Sequence, residues 1–156
     1  MAAGAPPADA LAIDRQRLIG RWDIRSWREF HEDGRVIAPF GDRLRGFLRY
    51  GPDGEMICMI ARPDREPFAS PRQFEASPAE KVRAYDGFFT YAGTYAMCPG
   101  GVTHAAEFAL FPNWEGLTQV RRIAHLCANR LCLEADVRGS GLSPHRVRIE
   151  WDRAPA

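Results

Sequence analysis

Between Arg21 and Phe30 the chain reads "RWDIRSWREF", and its residues alternate with the period of two that sends side chains to opposite faces of a strand. Trp22, Ile24, Ser26, Arg28 and Phe30 share one face; Arg21, Asp23, Arg25, Trp27 and Glu29 share the other. "HEDGRV" then supplies a turn through Asp33-Gly34. "RLRGFLRY" and "EMICMIA" read as two strands around "GPDG", where Pro52 and Gly54 suit a tight turn. The proline-rich "RPDREPFASPRQF" is a loop, because an interior strand does not accommodate so many residues without a donor.

One helix follows. In "SPAEKVRAYDGFF", Ser77 can cap, Pro78 fits the first helical position and Glu80 can complete a capping box. Val82, Tyr85 and Phe89 form an apolar stripe, which predicts packing against a sheet. "TYAGTYAM", "VTHAAEFALF", "LTQVRRIAHL", "RLCLEADV" and "HRVRIEWDR" are further strands. The total is about eight or nine short strands, mostly in hairpin order. A single short helix between the early and middle strands cannot cover both faces of such a sheet. The pattern therefore predicts a mainly β fold, a single up-and-down antiparallel β-barrel. A barrel of about eight strands can hold one small ligand. Residues 1–16, rich in Ala and Pro at their start, are expected to be a mobile tail, and 17–156 the barrel domain.

Composition narrows the field of partners. The chain has 156 residues, 46% hydrophobic and 26% charged, with a formal net charge of +1. That is enough material for one core, and the charge balance gives no electrostatic case for nucleic acid or an anionic membrane. No apolar run is long enough to span a bilayer, and the first residues lack a basic segment followed by an apolar one, so a cytoplasmic location is the default expectation. Cys58, Cys98, Cys127 and Cys132 lack zinc-type spacing and are expected to be free thiols. The histidines form no H-x-H or H-E-x-x-H pattern, and glycine-rich phosphate loops are absent, so neither a metal nor a nucleotide cofactor is expected. For oligomeric state the sequence offers only the general expectation of a homodimer.

The polar groups inside strands carry the candidate chemistry. If Trp114 marks the middle of the hairpin in "VTHAAEFALFPNWEGLTQVRRI", Glu107 pairs near Arg121 and Ala109 near Gln119, with His104 and Arg122 on the other face. A change of one residue in register swaps the sets. Two sets therefore stand as candidates to face the interior: Glu107, Gln119 and Arg121, or His104 and Arg122. We adopt the first, with His104 nearby if a bulge breaks the alternation. Arg121 would hold Glu107 ionised or bind a ligand oxygen through two parallel hydrogen bonds. The plain alternative is a salt bridge on the barrel's exterior. His104 is the acid–base candidate because only histidine titrates near neutral pH unaided; its plain alternative is a core histidine bonded to a backbone or hydroxyl group. Trp22, Tyr50, Met59, Tyr91, Tyr95 and Trp114 could line an aromatic pocket.

The stretches "LIGRWDIRSW", "FLRYGPDGEM", "RPDREPF", "AYDGFFTYAGTY" and "FPNWEGLTQVRR" give the chain a likeness. It resembles the lipocalin-like domain family of bacteria and fungi, a branch of the calycin-type barrels. The "FPNWEG…Q.R" segment is the most specific of these matches. The resemblance implies a small barrel with an internal cavity, and a setting in secondary metabolism. It implies no single activity. The leading expectation is a cofactor-independent enzyme that isomerises, cyclises or dehydrates a hydrophobic, polyketide-like substrate. His104 or Glu107 would move a proton, Arg121 would stabilise negative charge, and Gln119 and a tyrosine would orient the substrate. The alternatives are a non-catalytic carrier or sensor of a small apolar ligand, and a solid barrel that binds a protein partner through its surface.

Overall fold

The structure, a computed structural model, describes residues 14–139, 141 and 143–155. Its strands are β1 (Gly20–His31), β2 (Val36–Ile37), β3 (Arg45–Tyr50), β4 (Glu55–Ala61), β5 (Phe88–Cys98), β6 (Gly101–Ala109), β7 (Thr118–Leu126), β8 (Arg130–Val137) and β9 (His145–Arg153), with one α-helix, α1 (Pro78–Asp86). Every pairing is antiparallel. The long first strand pairs with β3 over Gly20–Asp23 and with β9 along most of its length, which closes eight strands into a barrel. The two-residue β2 pairs only with the end of β1 and stays outside the closed ring. The up-and-down barrel that alternation predicts is the observed fold.

Closure demands places where the alternation breaks, because a flat, regular sheet does not bend round on itself. In β1 the register shifts between Ile24 and Ser26, leaving Arg25 as the extra residue. Trp22 and Ile24 before it and Trp27 after it therefore all join the core. Strict alternation puts Trp22 and Trp27 on opposite faces; the bulge puts both inside. Two glycines serve close approach between strands. A Cβ on Gly46 (φ 146°) would sit 2.0 Å from the Met59 carbonyl oxygen, and one on Gly93 would sit 1.9 Å from that of Ala105. Neither position admits a side chain without movement of the neighbouring backbone.

One end of the barrel is plugged. Trp22 is fully buried there and its indole N–H donates to the Leu18 carbonyl at 2.8 Å. The Arg153 guanidinium lies 4.0 Å from the centre of the Trp22 ring and donates to the carbonyls of Arg17, Ile19 and Ala128. It thereby ties the last strand to the segment that enters the first. The turn at Arg15–Arg17, capped by the Asp14 carboxylate, belongs to this plug. Residues 14–16 of the expected tail are thus folded, and 1–13 lie outside the described residues.

The helix has the capping box its sequence predicts: Ser77 Oγ accepts from the Glu80 N–H while the Glu80 carboxylate accepts from the Ser77 N–H. Its stripe behaves otherwise. Phe89 belongs to β5, Val82 and Tyr85 are exposed, and no helix residue is buried. With only nine residues, the helix ends before Phe89, so the stripe is never assembled on one face. The four cysteines are free thiols. No helix of the described residues is long and apolar enough to cross a membrane.

Candidate functional site

The half of the barrel away from the plug is hollow. A cavity of about 480 Å³ is walled by Trp27, Leu48, Phe89, Trp114, Leu133, Val147, Ile149 and Trp151, with Cys58, Tyr91, His104, Gln119 and Arg121 as its polar lining and Glu29, Asp136, Arg138 and His145 among its remaining lining residues. This is the ordinary size and make-up of a small-molecule site, mostly apolar with a few convergent polar groups. A concavity of the same volume between α1 and the Arg62–Phe68 loop lies outside the barrel and is lined mainly by charged side chains.

The hairpin of β6 and β7 sets the polar lining. The observed register pairs Val102 with Arg121 and His104 with Gln119. The turn is not centred on Trp114: it holds a 3-10 turn at Pro112–Trp114, and β6 is bulged against β5, where Ala106 pairs with Gly93 and Phe108 with Ala92. The expected pairing of Glu107 with Arg121 is therefore corrected. Glu107 is the residue skipped by the bulge and is exposed on the outer wall, where it lines a surface groove with Arg49 and Phe108. The two alternative sets are both split. His104 joins Gln119 and Arg121 inside, while Arg122 goes outside and pairs with the buried carboxylate of Glu134.

His104 is almost fully buried between two tyrosines. Its Nε2 lies 2.7 Å from Tyr50 Oη and its Nδ1 lies 2.7 Å from Tyr91 Oη. Burial, and secondarily the Arg121 charge, hold its pKa down at about 3, so the ring is neutral at pH 7. A neutral imidazole has one donor and one acceptor. Tyr50 has no other side-chain partner and is walled off from the cavity, so its hydroxyl must donate to Nε2. Nδ1–H then donates to Tyr91, whose own O–H has the Cys58 sulfur beside it and can turn from that weak acceptor to a ligand oxygen. Burial pushes both phenols well up and the Cys58 thiol to about 12, so these groups are also neutral.

Arg121 is the one permanent positive charge in this cluster. It donates to Gln119 Oε1 in a very short contact and reaches the Tyr91 hydroxyl. Among the described residues it forms no salt bridge. Because Arg121 can only donate, the Gln119 atom that faces it is the oxygen. The Gln119 Nε2 is then left buried without a partner, as are the indole nitrogens of Trp27 and Trp151.

Of the remaining expected residues, Tyr91, Trp114 and Gln119 line the cavity. Trp22, Tyr50 and Tyr95 do not. Trp22 fills the plug, Tyr95 donates to the Gly51 carbonyl at 2.6 Å, and Tyr50 supports His104 from behind. Met59 alternates with the inward Cys58 and Ile60 and belongs to the outer face. Sequence reasoning missed Trp27, Cys58, Phe89, Leu133, Ile149 and Trp151. The available signal was the pair of large apolar residues at Trp22 and Trp27, an odd spacing that both can bury only if a bulge separates them. Among the described residues no group of three or more His, Cys, Asp or Glu side chains could hold a metal ion.

The sequence model of a family described as a lipocalin-like domain matches residues 19–154. No curated protein matches the sequence. Among solved structures, a redesigned β-barrel is similar over 90% of this chain and 94% of its own, at 10% identity and a TM-score of 0.43.

Proposed function

The chain belongs to the lipocalin-like domain family, whose barrel suits small-molecule binding, and we propose that it takes a hydrophobic molecule into the barrel with a carbonyl, enolate or carboxylate oxygen against Arg121. The observation that carries this reading is an arginine on the wall of an apolar cavity with no acidic partner among the described residues, beside the unpaired Gln119 amide nitrogen. A charge in such surroundings is costly unless paired, and a ligand oxygen supplies the pair.

The proposal extends to cofactor-independent proton transfer. When a proton leaves the carbon next to a substrate carbonyl, the electron pair moves onto the carbonyl oxygen. The Arg121 guanidinium and the Tyr91 O–H both serve that developing charge. His104 holds Tyr91 in place through Nδ1–H. The Glu29 carboxylate on the cavity wall is the group that accepts the proton, the role first expected of Glu107. Return of the proton at a second position gives isomerisation, attack of the enolate carbon gives cyclisation, and loss of a neighbouring hydroxyl as water gives dehydration. The second reading is a carrier. His104 favours it, because both of its nitrogens are already engaged and its depressed pKa makes it a poor base at neutral pH.

Deuterium exchange at the α-carbon of bound aryl ketones, followed by NMR, tests the enzymatic reading. Exchange that falls at least about a hundredfold in Glu29→Gln and Arg121→Gln supports it. Tight binding with no exchange in the native protein leaves the carrier.

A further inference from the structure

Among the described residues, three of the five buried side-chain atoms that lack a hydrogen-bond partner are of one kind. Gln119 Nε2, Trp27 Nε1 and Trp151 Nε1 are hydrogen-bond donors, and all three residues line the cavity. Arg121 adds a fourth donor group. The acceptors beside them are engaged, Gln119 Oε1 by the arginine and His104 Nε2 by Tyr50, and the carboxylates of Glu29 and Asp136 are further acceptors on the lining. His31, whose ring nitrogens are the other unpaired atoms, lies outside the cavity lining, stacked on His145.

These donors occupy two walls. Tyr91, Gln119 and Arg121 come from β5 and β7. Trp27 and Trp151 come from β1 and β9, which adjoin each other on the far side of the ring of strands. Between the two walls lie aromatic and aliphatic surfaces of Phe89, Trp114, Leu133 and Ile149. A ligand that matches this interior has an apolar, flat body. It also needs oxygen acceptors at two separated edges.

Resting on the binding reading above, we propose that the ligand class is an acceptor-rich aromatic oxo acid or enolised polyketone. One edge carries an anionic oxygen pair for Arg121 and Gln119, and the other carries carbonyl oxygens for the indole N–H groups of Trp27 and Trp151. Polyols bring donors to two walls that already present donors of their own. A plain fatty acid satisfies the arginine and leaves both indoles unpaired. An unpaired buried donor forfeits affinity, whereas each indole bond restored contributes roughly threefold to tenfold.

Three matched probes separate the two edges by calorimetry on the full chain: anthraquinone-2-carboxylate, anthracene-2-carboxylate, and anthraquinone without the acid. The expected result is that the quinone acid binds about tenfold or more tighter than the anthracene acid. In Trp27→Phe with Trp151→Phe that advantage disappears, while Arg121→Gln weakens both acids alike. Trp27→Phe alone, expected to remove part of the advantage, stands in if the double variant does not fold. Equal affinity of the two acids in the native protein, with both lost in Arg121→Gln, overturns the two-edge proposal and leaves the binding reading intact. Binding that ignores Arg121→Gln, or no binding by any probe, overturns both.

Discussion

Tyr50 and Tyr91 touch the same imidazole and do different things, because only Tyr91 reaches the cavity. Tyr50→Phe strips the donor from His104 Nε2 in a buried place, which costs about 1–3 kcal/mol of folding stability. Ligand affinity should change little. Tyr91→Phe should reverse the balance, with affinity for a carbonyl or carboxylate probe falling about fivefold or more. Urea unfolding and calorimetry on the two variants give both halves of the comparison; equal losses of affinity would remove Tyr91 from the site. His104 itself makes a pH prediction. Its folded pKa of about 3 lies below its ordinary 6.5, so the unfolded chain binds a proton that the folded one refuses. The stability it supports is complete above about pH 6.5 and is lost as pH falls toward 3, at about 1.4 kcal/mol per pH unit. His104→Gln keeps a donor and an acceptor for the tyrosines without titrating. Its unfolding free energy between pH 6.5 and 4 should be flatter than that of the native protein by one proton. An identical slope in the two proteins would show that the imidazole is charged inside the fold.

At the scale of strands and turns, bulges decide what reaches the interior. Arg25 in β1 and Glu107 in β6 are each an extra residue beside a strand that keeps its count. Removing Arg25 makes the spacing between Trp22 and Trp27 even, so alternation alone should keep both inside while the bend at the bulge is lost. Gly93, opposite the β6 bulge, has no room for a methyl group. Gly93→Ala is expected to cost about 3 kcal/mol or more, among the largest effects of any single change here, and a urea titration reads it directly. These same features mark where the sequence stops being legible. The alternation in "EMICMIA" or "RLCLEADV" is a statement about neighbours, and it survives into the structure as Met56, Cys58 and Ile60 inside, or Leu131 and Leu133 inside. The partner of Arg121 depends on where an eight-residue connection doubles back, and nothing in "FPNWEG" announces that its 3-10 turn is off centre. His104, Gln119 and Arg121 were recognisable as residues out of place in strands. That they share one face was not, because a five-residue error in the sum of paired positions swaps inside for outside. The helix shows the converse: its caps are local and legible, whereas its docking is a tertiary matter that the stripe of Val82, Tyr85 and Phe89 does not determine.

For the molecule as a whole, one end is tied shut and the other is hollow, and three of its four tryptophans line the hollow. Trp27, Trp114 and Trp151 face whatever enters, while Trp22 lies in the plug beneath Arg153. A ligand inside the barrel must therefore change the intrinsic fluorescence. A ligand held in the charged concavity beside α1 leaves it nearly unchanged, since no tryptophan lines that concavity. The same occupancy must raise stability, because a molecule that binds only the folded state adds about 2.7 kcal/mol at a hundred times its dissociation constant. For a chain of 156 residues that is a rise in Tm of roughly 5–10 °C. As anthracene-2-carboxylate is titrated, the fluorescence should saturate while the stability gain keeps rising with the logarithm of ligand concentration, and one dissociation constant should fit both. Both should be lost in Arg121→Gln, while Arg62→Gln in the outer concavity should leave both in place. A Tm shift without a fluorescence change would move the binding site out of the barrel.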